Sequence, residues 1–339
     1  MSTPRIEWTP RLIIGSILVS IPAVVFVIGM TFLALPDASY HSARQTETFT
    51  WDAGSAPAVA VDLDGGSITV AQGTGGRVEA KLTKLAVTKV SQAAADAALG
   101  GVRVVATRDG GAIRLKTTLA APPGLAQFRA DLELRVPPES SVDLRTAHGS
   151  VSIGKVYADP YGSYLIDSPV TLRSVRARDE GETDLGIEVD LAPRPPALPP
   201  TRLDLLSRHG SVAIRGDNVL ITAEATGGAV QFTGRPAPGT HHLQTGPYAP
   251  HVHQPGQLVQ GLLLKIPADC PVAIAARSQS GPIACEFPGT PASSPQSTTF
   301  ASPPDINGDV RLDLTTVDGP IEIRRTPGRE APAEGHNSP

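Results

Sequence analysis

From residue 55 onward, apolar and polar residues alternate in short runs on both sides of a recurring glycine. In each copy, apolar residues precede the glycine by seven and five positions and follow it by two and four, and the residue three positions before it is usually small. The clearest copies are centred on Gly149, Gly210 and Gly319, and looser copies on Gly66, Gly228 and Gly281. Alternation with a period of two predicts β-strands that each bury one face.

The glycine marks the turn between the two strands of each copy. A turn this tight usually needs one residue at positive φ, which glycine adopts without a side-chain clash. The apolar positions keep the same parity across each turn, so they point into one interior, while residues such as Asp143 and Ser152 point to water. The chain is therefore predicted to build one continuous core from many short strands.

The spacing of the copies favours stacked coils. Gly210 and Gly228 lie 18 residues apart, and Gly281 and Gly319 lie 38 apart, close to twice that interval. A short repeat interval is typical of a β-solenoid, in which each coil buries its apolar face against the next. The earlier copies are spaced less regularly. A β-sandwich of hairpins closed by glycine turns is therefore the alternative all-β architecture.

One short helix interrupts the strand pattern. Ser91 is a favourable N-cap, the residues after it are rich in alanine, and Gly100 follows Leu99, which together predict a helix over 91–99. The next alternating runs, over residues 102–115, predict a β-hairpin.

Proline-rich and serine-rich stretches are predicted as surface loops, and the end of the chain as a disordered tail, because it lacks apolar periodicity. The loops cover residues 193–200, 236–255 and 288–304, and the tail covers residues 327–339.

Residues 12–35 form an uncharged run of 24 residues. At about 1.5 Å per residue, a helix of this length crosses a hydrocarbon core of about 30 Å. The run is longer than the apolar part of a signal peptide and no small-x-small cleavage site follows it, so we interpret it as a retained transmembrane helix. Arg5 and Arg11 precede it and acidic residues predominate after it. The positive-inside rule then predicts a cytoplasmic segment over 1–11, a linker over 36–54 and an extracytoplasmic domain, which makes a single-pass cell-membrane protein.

Composition narrows the class of protein further. Glycine and proline number 33 each and aromatic residues make up only 4% of the chain, which suits strands and turns more than helices. A net charge of −4 offers no basic surface for nucleic acid. Two cysteines, Cys270 and Cys285, lie at inward positions of an exported chain, and the sequence leaves open whether they form a disulfide.

Two groups of histidines are candidate sites. Four of the eight histidines fall within thirteen residues, at His241, His242, His251 and His253. Imidazoles so placed could bind zinc, copper or nickel, but no cysteine or carboxylate completes the set, and we interpret them as solvent-exposed residues of a loop. His148 and His209 occupy the same position in two copies. We interpret them as turn residues because no acid or nucleophile recurs beside them.

Acidic runs at residues 179–184 and 62–64 could hold calcium, but neither has the ligand spacing of a known calcium loop, so solvated loops are expected. Solenoid enzymes that cleave glycans need convergent carboxylates on one face, and no repeated pair of this kind occurs. The sequence therefore predicts no catalytic residue, cofactor or metal.

Several of these segments resemble the bacterial DUF4097 "putative adhesin" domains. The resemblance rests on residues 61–70, the short helix with the hairpin after it, residues 134–153 and residues 265–281. It covers roughly residues 55–326 and extends to the related head domains called GIN. This resemblance implies a right-handed β-helix attached to the cell envelope and brings no catalytic residues.

The function expected from this combination is a membrane-anchored, non-catalytic adhesin or interaction domain, whose partner is a protein or cell-surface ligand. One alternative is an accessory protein of envelope stress or signalling that binds another membrane protein. A less favoured alternative is a glycan-active solenoid enzyme.

Overall fold

The computed structural model describes residues 40–109, 111–120, 125–159, 162–167, 169–180, 186–195, 197–247, 260–294, 296–303 and 308–327. Within these ranges the chain is almost entirely strand and turn, which confirms the all-β prediction. The predicted transmembrane helix over 12–35 and nearly all of the predicted tail lie outside them. Among the residues described, no helix has the length and apolarity needed to cross a membrane.

The described residues form one helix, α1 (Gln92–Leu99), and twenty-five strands. The strands are β1 (His41–Asp52), β2 (Ala58–Leu63), β3 (Ile68–Gln72), β4 (Arg77–Thr88), β5 (Val102–Asp109), β6 (Ala112–Leu119), β7 (Leu125–Val136), β8 (Ser140–Thr146), β9 (Val151–Ile153), β10 (Lys155–Asp159), β11 (Gly162–Asp167), β12 (Leu172–Asp179), β13 (Ile187–Asp190), β14 (Thr201–Ser207), β15 (Val212–Arg215), β16 (Val219–Ala225), β17 (Ala229–Thr233), β18 (Gly239–Thr245), β19 (Gly261–Pro267), β20 (Val272–Ser278), β21 (Ile283–Cys285), β22 (Thr290–Ser294), β23 (Ser297–Ala301), β24 (Val310–Thr316) and β25 (Ile321–Thr326).

Two large mixed sheets contain all of these strands except the β10–β11 hairpin. Sheet A has the order β1-β4-β7-β3-β9-β13-β15-β17-β19-β25-β21, and sheet B has the order β22-β23-β20-β24-β18-β16-β14-β12-β8-β2-β6-β5. From β12 to β21 the chain alternates between the sheets, and each strand from β12 to β19 pairs in parallel with its counterpart two strands later or earlier. Antiparallel pairs lie at the ends of the sheets, such as β1 with β4 and β22 with β23.

At both ends of the molecule, spatial order departs from chain order. The pair β2/β3 lies between β6/β7 and β8/β9, and the pair β24/β25 lies between β18/β19 and β20/β21. The last two glycine copies of the sequence are therefore exchanged in space relative to their order along the chain.

A single core is built from the inward positions of both sheets. Side chains at the same register position form ladders across neighbouring strands. One fully inward ladder of sheet B mixes leucine with smaller residues and comprises Val61, Leu144, Ala177, Leu205, Ala223, Leu243, Leu314 and Ala276, all buried.

A polar ladder follows at the next inward position, where sheet B turns toward sheet A. It contains the small residues that recur three positions before the glycines, and it comprises Thr146, Asp179, Ser207, Thr245, Thr316 and Ser278, all buried. The hydroxyls of four of them bind the backbone of the turns, namely those of Thr146, Ser207, Ser278 and Thr316. The Thr245 hydroxyl donates to Thr316 Oγ1 at 2.8 Å. Thr146 Oγ1 donates to the Gly66 carbonyl at 2.7 Å, and Gly281 N–H donates to Ser278 Oγ at 2.8 Å.

The turn glycines are required mainly because the turns stack closely on one another. A Cβ at Gly149 would lie 2.1 Å from the Gly66 carbonyl oxygen, and one at Gly281 would lie 1.9 Å from that of Gly319. The predicted positive φ is confirmed at Gly66 and Gly319, at 128° and 104°. It is wrong at Gly228 and Gly281, where the crowding by the neighbouring turn excludes a side chain instead.

Helix α1 occupies the predicted place, with Ser91 Oγ accepting from Ala94 N–H at 3.1 Å. The 36–54 segment, in contrast, contains β1, so residues 41–52 are strand rather than linker. Strand β18 lies inside the predicted 236–255 loop, and the β22–β23 hairpin lies inside the predicted 288–304 loop. Ser152 is buried rather than exposed to water, and β10 contacts the strands around it, β3, β9 and β13.

Candidate functional site

A groove of about 640 Å³ lies on the outer face of sheet B. Parallel register places outward residues of successive strands side by side, so that each row of the groove is drawn from distant parts of the sequence. Its floor is made of small side chains from β2, β8 and β12, namely Ala58, Ala60, Ser141 and Ser174. These small side chains leave a space between the longer, charged side chains of the neighbouring rows.

Charged side chains form the walls of this groove. Arg176 lies between two carboxylates, with its Nη1 3.7 Å from Asp143 Oδ2 and its Nε 3.2 Å from Asp204 Oδ2. Arg114 on β6 and Arg202 on β14 line the two sides. Within the described ranges, neither Arg114 nor Arg202 takes part in an ion pair. Arg114 is in register with Asp204, two residues from Arg202. Four strand spacings of about 4.8 Å and this two-residue offset place the Cα atoms of Arg114 and Arg202 about 20 Å apart.

The groove therefore offers groups suited to recognition. Two unpaired guanidinium groups can bind carboxylate, sulfate or phosphate, and serine hydroxyls can bind either donors or acceptors. The side chains that line it include no histidine, cysteine or tyrosine. It stands on a continuous parallel ladder from β6 to β16, which fixes the spacing of its walls.

A second cavity, of about 650 Å³, lies where strands of sheet A end. Three arginines line it, and each is already paired. Arg215 contacts Asp190 at 3.4 Å, Arg235 contacts Asp269, and Arg194 binds Glu139 through both terminal nitrogens at 2.7 Å. Its charges are thus neutralised internally, and we interpret it as a structural recess at the corner of the fold.

Histidine 241 is a buried structural residue. Its Nδ1 accepts a hydrogen bond from Ile221 N–H at 3.2 Å, so its Nε2 is the atom that donates to the Ala237 carbonyl, at 2.8 Å. Burial lowers the pKa of the His241 imidazole. The interpretation of His241 as a solvent-exposed loop residue is therefore wrong, because β18 turns this side chain into the core.

The other histidines lie elsewhere. His242 points outward from β18, with its Nδ1 3.6 Å from Asp313 Oδ2, whereas His241 points inward, so these two neighbours cannot share a metal ion. His148 and His209 are exposed in turns, as predicted. His251 and His253 lie outside the described residues. Across the described ranges, no three potential ligands of the His, Cys, Asp or Glu type come together.

The acidic runs have structural partners where they are described. Asp179 is fully buried at the end of β12, so the prediction of a solvated loop is wrong at this residue. Glu180 contacts Arg145 at 3.0 Å, and residues 181–184 lie outside the described ranges. In the other run, Asp62 contacts Lys116 at 3.1 Å and Asp64 Oδ2 accepts from Leu119 N–H at 3.0 Å.

Cys270 and Cys285 are free thiols in the structure. Cys270 is buried and Cys285 is half-buried. Burial raises the pKa of both thiols, which disfavours the reactive thiolate.

Sequence reasoning missed the groove because no local motif encodes it. Asp143, Arg176 and Asp204 come from three strands whose pairing in register brings them together. The available signal was their shared position, since each lies three residues before the last residue of its strand on the outward parity.

No family model matches the chain, and no curated protein matches it. Solved structures do match. One is a "putative cell adhesion protein" from Clostridium sporogenes, 6% identical, with a TM-score of 0.34, covering 84% of this chain and 100% of that one. Another is a "putative adhesin" from Bacteroides fragilis, 9% identical, with a TM-score of 0.30, covering 83% and 96%.

A third is a "putative lipid binding protein" from Parabacteroides distasonis, 7% identical, with a TM-score of 0.29, covering 83% of this chain and 97% of that one. No family model identifies the chain with DUF4097 itself.

Proposed function

We propose that this chain is a membrane-anchored, extracytoplasmic binding protein that carries out no catalysis, and that the groove on the outer face of sheet B is its ligand site. In this proposal the two sheets are two walls of a right-handed β-solenoid, and each glycine copy is one corner of a coil. The groove carries the proposal, because it combines a rigid parallel floor and half-buried serine hydroxyls with two arginines that have no ion-pair partner in the described ranges.

The uncharged run over residues 12–35 supports the anchor. Strand β1 begins at His41, so only residues 36–40 separate this run from the first strand of sheet A. Five extended residues reach at most about 18 Å. The exported domain would therefore stand directly on the membrane, with its groove at a fixed height above the lipid.

The arrangement of the carboxylates favours binding over glycan cleavage. Asp143 and Asp204 are the paired carboxylates that a glycan-active enzyme would need on one face, and both contact Arg176, which lies between them. A glycosidase requires one carboxyl group that donates a proton to the leaving group. A carboxylate held in an ion pair with arginine is poorly suited to that step, so we assign both residues to recognition.

The groove is tested by replacing a small residue of its floor with a large one. The variant Ala60→Phe places an aromatic ring between Arg114 and Asp143, and Gln244→Phe places the same ring on the outer face of sheet B outside the groove. Full-length protein in native membranes is crosslinked to neighbouring molecules, and the captured species are compared. We expect the partner of the wild type to be lost with Ala60→Phe and kept with Gln244→Phe. Equal capture by all three proteins would refute the groove as the site.

The anchor and its orientation are tested by labelling intact cells with a membrane-impermeant thiol reagent. A cysteine introduced at exposed Gln244 should react, whereas one introduced at Thr3 should react only after the membrane is broken. The same purified protein, assayed against glycans, esters and peptides, should show no turnover. Activity that is lost on Asp143→Asn would overturn the non-catalytic assignment.

A further inference from the structure

Strand β1 is the last strand of sheet A on one side, and no other strand of the described chain covers its outer edge. It pairs with β4 over its whole length, from His41 opposite Thr88 to Asp52 opposite Arg77. Directly after this ladder, Ala53 N–H donates to the Gly76 carbonyl at 2.7 Å. Because hydrogen bonding in an antiparallel pair alternates residue by residue, the odd-numbered residues of β1 bond to β4. The even-numbered residues direct their N–H and C=O groups to the outer edge.

Helix α1 covers the beginning of this edge and leaves the rest open. Gln92 Nε2 donates to the Ser42 carbonyl at 3.0 Å, as expected for an even-numbered residue whose backbone faces outward. We call residues 44–52 the open edge. An edge of nine residues without proline or a bulge is long enough to pair with another strand, which proteins normally prevent.

The side chains of the open edge form a self-complementary series. Its even-numbered residues are all exposed on the outer face of sheet A and are, in order, Arg44, Thr46, Thr48, Thr50 and Asp52. A cation, three threonines and an anion therefore follow one another at equal intervals. A second strand of the same sequence, running in the opposite direction, presents the opposite charge at each end.

We propose that the open edge pairs with the open edge of a second copy of this chain, with a two-fold axis at Thr48. Arg44 then lies opposite Asp52 of the partner subunit, and Thr46 lies opposite Thr50 of the partner subunit. Opposite-charge and threonine pairs are stabilising when directly opposed across an antiparallel ladder. The two copies of sheet A become one continuous sheet, in an isologous contact of the kind usual in homodimers.

Backbone and side-chain geometry select this register. Every residue that would exchange ladder hydrogen bonds is even-numbered, and these are the residues whose backbone groups face the edge. Moving the axis by one residue, to Glu47, would place two Glu47 carboxylates opposite each other and leave Arg44 against Thr50. Within the described ranges Arg44 takes part in no ion pair, so its charge is available to a partner.

Asp52 can accept this second partner. It contacts Arg77 through Oδ1 at 3.0 Å, and its side chain remains 85% exposed, which leaves the carboxylate accessible to another guanidinium. On the core side of the sheet, the half-buried rings of Phe49 and Trp51 stack with centroids 5.9 Å apart. In the dimer, Gln45 and Glu47 of the partner subunit lie opposite these rings and reduce their exposure to water.

Disulfide trapping tests the register. Full-length protein carrying Cys270→Ala and Cys285→Ala is given one cysteine and is oxidised in native membranes. Residues directly opposed in such a ladder have Cα atoms about 5.5 Å apart, so Thr48→Cys should form a dimer on a denaturing gel. Two copies of Thr46→Cys would be offset by four residues, about 13 Å along the strand, and should remain monomeric. A monomeric Thr48→Cys, or equal crosslinking of both variants, would overturn the proposal.

Charge exchange tests the pairing chemistry. In the Thr48→Cys protein, Arg44→Asp or Asp52→Arg alone creates two like-charge contacts and should lower the yield of dimer by about tenfold. The double variant Arg44→Asp/Asp52→Arg reverses both charges and should restore the yield. Positions 44, 48 and 52 are all exposed, so these variants should fold. If the double variant crosslinks no better than either single variant, the Arg44–Asp52 pairing is refuted.

Discussion

The Thr146 hydroxyl donates a hydrogen bond of 2.7 Å to the carbonyl oxygen of Gly66, a residue 80 positions earlier in the chain. Both groups lie at the corner where sheet B turns toward sheet A, and Thr146 is fully buried. The bond ties one turn to the next, and Ser278 repeats it with the Gly319 carbonyl at 3.3 Å. The small polar residue three positions before Gly149, Gly210, Gly281 and Gly319 is therefore a corner hydrogen-bonding residue.

Replacing Thr146 by valine should consequently destabilise the fold. Valine keeps the shape of the side chain but leaves a buried carbonyl without its donor, which costs about 1–3 kcal/mol in the free energy of unfolding. Thr146→Ser retains the hydroxyl and should lose less. Thr222→Val, at an exposed outward position of β16, should stay within about 0.5 kcal/mol of the wild type in the same urea titration. An equal loss for Thr146→Val and Thr222→Val would contradict the role of the corner bond.

Glycine 281 should not tolerate even alanine. The added Cβ would lie 1.9 Å from the Gly319 carbonyl oxygen, so the backbone of one turn has to move. We expect a loss well above the roughly 1 kcal/mol typical of a point mutation. Gly73→Ala is the matched control, because its new Cβ meets only ordinary contacts at 3.5 Å and no positive φ is required. Thermal unfolding followed by circular dichroism compares them, and similar melting temperatures would refute the crowding.

Repetition explains how much of this fold could be predicted. Leu144, Leu205 and Leu314 recur at one inward position, and that recurrence reveals strands, turns and a common core. The sequence does not reveal that β24/β25 lies between β18/β19 and β20/β21, because each of these pairs has the same alternating pattern and would fit either position in the sheets. The irregular spacing of the early copies likewise reflects the insertion of β4, α1 and the β5–β6 hairpin between β3 and β7.

Polar residues at inward positions were the main source of error. His241 and Thr245 continue the inward parity of β18, but their polarity and the prolines before them made the segment look like a loop. The groove was missed for a different reason. Arg114 and Arg202 are ordinary surface residues in sequence, and only the pairing of five strands places them on opposite sides of one space.

The free energy of unfolding should decrease as the pH falls below 6.5, the ordinary pKa of histidine, because the His241 imidazole binds a proton less readily in the folded state than in the unfolded chain. Burial lowers the pKa of His241 from its ordinary value of 6.5, so below pH 6.5 the unfolded chain takes up this proton first. The contribution is complete above pH 6.5 and is lost by up to about 1.4 kcal/mol per pH unit as the pH falls toward the folded pKa. Urea titrations at several pH values measure it.

The variant His241→Leu separates this effect from other titrations. It should lose about 1–3 kcal/mol at neutral pH, since Ile221 N–H and the Ala237 carbonyl lose their partner. Between pH 6.5 and 5, the stability of the variant should also depend less on pH than that of the wild type, because the variant takes up about one proton fewer on unfolding. His242→Leu, at an exposed position of the same strand, should lose much less stability at neutral pH than His241→Leu. An unchanged pH profile in His241→Leu would assign the effect to another group.

Arginine 194 fixes the start of the 193–200 loop to the rest of the fold. Its side chain is only 3% exposed, both terminal nitrogens bind Glu139, and its Nε donates to the Pro199 carbonyl at 2.6 Å. Lysine carries the same charge but cannot donate two parallel hydrogen bonds to one carboxylate. Arg194→Lys therefore leaves the Glu139 carboxylate and the Pro199 carbonyl with fewer hydrogen bonds. Loss of a fully buried pair typically costs about 3–5 kcal/mol. Glu139 is 38% exposed, so the loss here should be smaller, and the lysine should recover part of it.

Limited proteolysis with a nonspecific protease provides the local measurement. Arg194→Lys should expose the 193–200 loop to cleavage much faster than in the wild type, while the rest of the domain is cut at a rate set by its global stability. Arg202→Lys makes the same substitution at an exposed arginine of β14, and it should leave the cleavage pattern unchanged. If Arg194→Lys is cut at the same sites and rates as the wild type, the bidentate pair between Arg194 and Glu139 does not hold the loop. The neighbouring cavity, which Leu191 and several prolines also line, would then keep its shape without this pair.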